Sequence, residues 1–248
     1  MFPEIPEEQI RAAVENVAFQ ALAEANIDRP PVDATLLAER LDITVARDGA
    51  GAPNRARFVR LDGESPTILL ADEPRPERRQ WAVAHEIGEC RAHDVFAVLG
   101  VDPVDGQPSA REAIANRLAG CLLLPRAWLA ADGRALDWDL LELKARYATA
   151  SHELIARRML DMPPPVIITI ADQGRILWRR GNRHGRTPPM TPPEQDAWRA
   201  AHAIGEPARC EPRELPPGIE DVRAWPVHEP EWKREIVRTA LAELSDEW

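Results

Sequence analysis

Cysteine, lysine, long apolar runs and aromatic rings other than tryptophan are all scarce in this chain. Three cysteines in 248 residues are an odd count and too few for a disulfide framework, which points to a reducing compartment. No apolar run approaches the ~20 residues that span a bilayer, so a membrane partner is not expected. The opening Met1-Phe2-Pro3-Glu4-Ile5-Pro6-Glu7-Glu8 has no basic segment ahead of an apolar one and does not read as a signal peptide. The expected location is the cytoplasm. Basic residues are outnumbered, 31 Lys and Arg against 41 Asp and Glu, giving a net charge of −10 and a pI near 5.2. An acidic surface does not displace counterions from nucleic acid, so direct nucleic-acid binding is not expected. The local exception, Arg175 to Arg186, carries six Arg or His in twelve residues and reads best as the protected edge of a hairpin.

Proline is abundant by contrast. The prolines are densest after residue 160, where 13 of the 24 fall, and predict a loop-rich C-terminal third. Apolar residues at helical spacing predict helices over Glu7 to Asn26, Asp33 to Leu41 (capped by Asp33), Glu77 to Leu99, Ser109 to Leu124 (stopped by Pro125) and Pro192 to Ile204. Leu136 to Met162 reads as two helices split near Thr149 to Ser151. Its helix-turn-helix rhythm over Leu141 to Leu160 is loose, and packing is the preferred role for it. Ile43-Thr44-Val45 reads as a strand, Asp48 to Asn54 as a glycine-rich loop and Gly100 to Pro108 as a polar break. Ala56 to Leu61 and Thr67 to Ala71 form one expected hairpin across Asp62-Gly63-Glu64, and Val166 to Ile170 with Arg175 to Arg179 another across Asp172-Gln173-Gly174. Trp232 to Leu244 is predicted helical, because Ile236, Val237, Ala240, Leu241 and Leu244 fall on one stripe. Trp225, Pro226, His228 and Trp232 suggest a segment packed on the main domain, with His228 a minor candidate for a catalytic or stabilising group.

The stretch with chemistry in it is Gln80-Trp81-Ala82-Val83-Ala84-His85-Glu86-Ile87-Gly88-Glu89. It is the His-Glu-x-x-His zinc-peptidase pattern with Glu89 in place of the second histidine. Residues four apart on a helix lie one turn above each other, so His85 and Glu89 can converge on one cation. Glu86 faces the neighbouring side, where a carboxylate moves a proton between water and a leaving amine. A third ligand is needed, and Glu112 is the best candidate, with Asn116 one turn on placed to brace His85. Cys90 is turned well away around the helix from His85, and His93 lies about 12 Å along the axis, so neither replaces the missing imidazole.

Here the chain resembles the ImmA/IrrE-type metallopeptidases. Arg78-Arg79-Gln80-Trp81-Ala82-Val83-Ala84-His85-Glu86-Ile87-Gly88 is similar to their Arg-x-x-Phe-(Thr/Ala)-hydrophobic-Ala-His-Glu-hydrophobic-Gly segment. Glu112-Ala113-Ile114-Ala115-Asn116-Arg117-Leu118-Ala119-Gly120-Cys121-Leu122-Leu123-Leu124-Pro125 is similar to their Glu-x-x-Ala-Asn-x-Phe-Ala-x-x-Leu-Leu-x-Pro segment. The resemblance covers roughly residues 7 to 160. It implies an α+β zincin-like metallopeptidase domain with a small β-sheet and active-site helices over residues 1–162, followed by a helical and hairpin extension over 163–248. It also implies one divalent ion, usually zinc and sometimes manganese, held by His85 and Glu112, with Glu86 as the catalytic acid/base. The implied substrate is a protein, a helix-turn-helix repressor in the characterised cases. Arg158 matches a recurrent family arginine and is a candidate contact for a substrate carbonyl or oxyanion.

Glu89 is the departure, with Leu118 and Cys121 milder ones. As a ligand it gives a His/Glu/Glu set, which is harder than the usual one and moves preference toward manganese or iron. Otherwise the fold is a metal-free binding module. Glu86, Glu89 and Glu112 beside one histidine would repel one another without a cation, which favours metal. The expected function is therefore a metal-dependent endopeptidase, and the alternative a catalytically inactive pseudopeptidase that binds a regulatory protein.

Overall fold

Ile10, Val14, Val17, Ala21 and Leu22 recur at three- and four-residue steps, so Glu7–Glu24 winds into helix α1 with that stripe buried. The structure, a computed structural model, describes residues 5–48, 56–59, 66–102 and 108–243. The expected loop after Asp48, the Asp62-Gly63-Glu64 turn, most of the Gly100 to Pro108 break and Leu244 lie outside the described residues. The chain divides into two units, Met1–Ala135 with Lys144–Ser151, and Leu136–Leu143 with His152–Trp248. Mixed helices and two sheets make it an α+β protein, as the sequence predicts.

In the first unit, helix α2 (Ala34–Arg40) starts at Asp33, whose carboxylate accepts from the Thr35 and Leu36 amides at 2.8 and 3.2 Å. Strands β1 (Thr44–Arg47), β2 (Ala56–Val59) and β3 (Thr67–Leu70) form a sheet in the order β1-β3-β2, with β3 antiparallel to β2 and parallel to β1. Helix α3 (Pro76–Leu99) has proline in its first turn and ends at Gly100, whose φ of 69° is the left-handed cap that a helix end favours. Gln80 ties α3 to α2. Its Oε1 accepts from the Ala34 amide at 2.5 Å, and its Nε2 donates to Asp33 at 3.1 Å. Helix α4 (Pro108–Leu123) lies against α3, and Ile114, Ala115, Leu118 and Leu122 of α4 are buried, as are Val83, Ala84 and Ile87 of α3.

Pro125 ends α4, as expected, yet its carbonyl accepts from the Leu129 amide at 2.9 Å and opens helix α5 (Arg126–Ala135). The sequence reading had no helix there. Tyr147 is a core aromatic, fully buried, with its hydroxyl donating to Asp132 at 2.8 Å.

Helix α6 (Leu140–Arg146) and helix α7 (His152–Arg158) are the expected pair, with the break where Ser151 stands. In the second unit, strands β4 (Val166–Asp172), β5 (Arg175–Gly181), β6 (Ala208–Arg209), β7 (Ile219–Glu229) and β8 (Trp232–Leu241) make one antiparallel sheet in the order β5-β4-β8-β7-β6. The basic stretch from Arg175 does sit on an edge strand, β5. Helix α8 (Pro192–Ile204) begins with a capping box of Thr191 and Glu194, and it buries Ala197 and Ala201 against Val222, Ala224 and Val237. Glu194 is fully buried and closes that packing: Arg179 donates to both its oxygens at 2.9 and 3.2 Å, and Thr191 and Thr239 add hydroxyl bonds.

The predicted C-terminal helix is a correction. Residues 232–241 are the central strand β8, paired with β4 on one side and β7 on the other. Ile236-Val237 and Thr239 are β-branched and fit a sheet better than a helix. Glu235 to Thr239 are buried on both faces, so the in-out alternation that reveals a strand is absent.

Candidate metal centre

His85, Glu86 and Glu89 stand on α3, and Glu112 and Asn116 on α4, all in the first unit. The close packing of the two helices is made at Gly88. A β-carbon there would lie 2.6 Å from the Ala115 carbonyl oxygen, inside any real contact. Glycine is thus what lets α4 approach near enough for Glu112 to face His85.

One ligand atom each from His85, Glu89 and Glu112 gathers within a 4.8 Å span. His85 Nε2 stands 3.6 Å from Glu112 Oε2. That is too long for a hydrogen bond, but close to the roughly 3.4 Å that separates two ligands of one tetrahedral zinc-type ion. The other ring nitrogen, Nδ1, is buried and has no hydrogen-bond partner among the described residues. One imidazole and two carboxylates are also a donor set that divalent ions accept. The residues present therefore fit a divalent metal.

Asn116 was expected to brace His85. Instead its amide donates to Glu112, at 2.9 Å to the carboxylate and 3.0 Å to the carbonyl. A four-residue step turns Asn116 back along its own helix, so it fixes the rotamer of Glu112. Glu89 has a partner that sequence reasoning did not assign: Arg111 Nε lies 2.6 Å from its Oε2, and the same guanidinium donates to the Glu89 carbonyl at 3.2 Å. The signal was present, since Arg111 is the nearest cationic residue in sequence to Glu112, but nothing in spacing said which carboxylate it would take. Glu86 is half-buried on the face beside His85. The Glu112 side chain is 59% exposed and those of His85 and Glu89 about one-fifth, so solvent or a substrate reaches the cluster from the α4 side. Arg158 belongs to the second unit, where its buried guanidinium pairs with Asp161 at 2.6 Å.

Residues 38–160 match a family model described as the IrrE N-terminal-like domain, Peptidase_M78. This stretch is an IrrE N-terminal-like domain. The domain is metallopeptidase-like, and its matched span contains every residue of the cluster. No curated protein matches the chain. Among solved structures the chain is similar to a Mycobacterium tuberculosis transcriptional regulator, with 18% identity and a TM-score of 0.64 over 96% of this chain and 81% of that one. That likeness extends the shared fold beyond the IrrE N-terminal-like domain into the second unit. Among the described residues no helix is long and apolar enough to cross a membrane. Cys90, Cys121 and Cys210 are not disulfide-bonded.

Proposed function

We propose that the IrrE N-terminal-like domain is a metal-dependent endopeptidase that cuts a peptide bond in a protein substrate. The observation that carries this reading is the convergence of His85, Glu89 and Glu112 from two helices, with Glu86 beside them. His85, Glu89 and Glu112 would hold one divalent ion, zinc foremost and manganese or iron as the alternatives that two carboxylates favour. When bound, such an ion supplies Lewis acidity and lowers the pKa of water. Glu86 takes the proton from the attacking water and returns it to the departing amide nitrogen. Asn116 holds Glu112 in one orientation, and Arg111 limits the negative charge that Glu89 adds. On this reading the substrate is a transcriptional repressor, as the resemblance to the ImmA/IrrE-type metallopeptidases implies.

The Arg111–Glu89 pair at 2.6 Å also favours a second reading. If that ion pair takes Glu89 out of the site, the domain binds a regulatory protein without cutting it. Metal content of the wild type and of His85→Ala, with proteolysis by the wild type and by Glu86→Gln, separates the two. Endopeptidase function requires near-stoichiometric ion lost in His85→Ala, and cleavage lost in Glu86→Gln with the ion retained. Identical behaviour of wild type and Glu86→Gln in every cleavage assay leaves the binding module.

A further inference from the structure

Three elements of the second unit bring a different set of ligating side chains to one point. His202 comes from the last turn of α8, His228 from the end of β7, and Glu235 from β8. His202 Nδ1 lies 2.9 Å and His228 Nε2 2.7 Å from the same oxygen, Glu235 Oε1. The other oxygen accepts from the Trp198 indole at 3.0 Å. One ligand atom from each of the three gathers within 4.8 Å. The Glu235 carboxylate is completely buried, whereas the imidazoles are 34% and 23% exposed.

We propose that His202, His228 and Glu235 bind a divalent metal ion of the zinc class, at a site separate from the candidate centre on α3 and α4. Two imidazoles and a carboxylate form a donor set that takes zinc with one position left for water. The present nitrogen-to-oxygen distances are those of hydrogen bonds. Tetrahedral zinc ligation needs about 3.4 Å, so each imidazole withdraws by roughly half an ångström and binds as the neutral tautomer whose N–H is on the ring nitrogen facing away from the ion. The partly exposed rings provide that freedom and an entry path. The Trp198 indole holds the buried carboxylate by its other oxygen, as an outer partner of a metal ligand does. Two turn residues border the rings: Gly205 lies beside His228 and Gly174 beside His202, where an added β-carbon would be 3.7 Å from His228 Nδ1 and 4.0 Å from His202 Nε2. Lys233 donates to the His202 carbonyl at 3.2 Å. An ion here ties the end of α8 to the tip of the β7–β8 hairpin, so the packing of the second unit becomes metal-dependent.

The test starts from metal-free His85→Ala protein, which removes the imidazole of the other candidate centre, and uses zinc chloride as the probe. Equilibrium dialysis with elemental analysis should find one zinc per chain. A saturating excess, about 100 times Kd, should raise Tm by roughly 5 °C or more. Adding His202→Asn and His228→Gln keeps an amide N–H where each imidazole now donates to Glu235 but removes the ligand nitrogens. That variant should hold no zinc and show no Tm shift. In parallel, the imidazole nitrogen resonances of His202 and His228 should move on zinc addition to His85→Ala itself, a readout that needs no further substitution. No zinc in His85→Ala, zinc retained by the amide variant, or imidazole resonances that stay fixed would each overturn the proposal and leave a hydrogen-bonded cluster only.

Discussion

Gly88→Ala tests whether helix spacing sets the site. The added methyl begins 2.6 Å from the Ala115 carbonyl oxygen, and the Ala115 Cα and carbonyl carbon are at 3.1 and 3.2 Å. All three are backbone atoms and cannot rotate away. Real β-carbons do not approach closer than 3.0 Å, so α3 and α4 must separate or slide by at least about 0.4 Å, with overpacking costing about 1–3 kcal/mol. Metal–ligand distances tolerate about 0.2 Å, and the proposed ligands are divided between these two helices. The expected result is thus a double loss, a lower Tm for the metal-free protein and a fall of at least tenfold in zinc affinity. Thermal unfolding and a competitive zinc titration read them separately. Gly88→Ala with wild-type Tm and wild-type zinc affinity would refute the argument that this glycine holds the helices at ligating distance. A lowered Tm with unchanged affinity would remove Glu112 from the ligand set while leaving the packing argument intact.

Two further outcomes concern stability alone. Tyr147→Phe removes a buried hydroxyl bond to a carboxylate and should cost about 1.5–3 kcal/mol at neutral pH; urea unfolding at several pH values measures it. Burial first, and the Asp132 carboxylate second, push the Tyr147 phenol above its ordinary value of 10.0, so its contribution is complete below pH 10 and lost as pH climbs beyond. The gap between wild type and variant should therefore narrow above pH 10, and a constant gap would count against this account. Glu194→Ala strips a fully buried carboxylate from Arg179, Thr191 and Thr239 and should destabilise the second unit by about 3–5 kcal/mol. Calorimetry that finds less than 1 kcal/mol would mean the buried Arg179 guanidinium finds another partner.

Local rules carried the sequence reading far in the first unit and less far in the second. The helices of the first unit present one apolar stripe each and carry local stop signals, Gly100 for α3 and Pro125 for α4. Asp33 was recognisable as a cap because capping is decided within three residues. Pro125 misled in one respect, since the rule that ends a helix at proline says nothing about a new one starting from its carbonyl. β8 failed for a tertiary reason: a strand covered on both faces has no alternation, and Ile236, Val237, Ala240 and Leu241 satisfy helical spacing by accident. The partners of Asn116 and Glu89 were out of reach too. Each depends on rotamers and on the register between two helices, and Gly88 fixes that register through Ala115, twenty-seven residues away in the chain. The His202, His228 and Glu235 cluster escaped for the same reason, because its members meet only once β8 is a strand.

Replacing a histidine by Glu89 changes the charge of the centre as well as its donor atoms. Glu86, Glu89 and Glu112 are three carboxylates where the usual motif has two, and an extra anion beside a divalent ion makes water there less acidic. Arg111 works against that. Its guanidinium sits on Glu89 Oε2 at 2.6 Å, while one carboxylate oxygen of Glu89 stays within the 4.8 Å span of the cluster. Local charge then returns to the two negatives of the histidine-bearing motif, which a divalent ion balances. The pair is half-exposed on its arginine side, so screening weakens the compensation without abolishing it. On this argument Glu89 and Arg111 act as one unit. Their joint replacement by histidine and a neutral residue preserves the charge at the site, whereas replacing Arg111 alone leaves the proposed centre one negative charge too strong for efficient water activation.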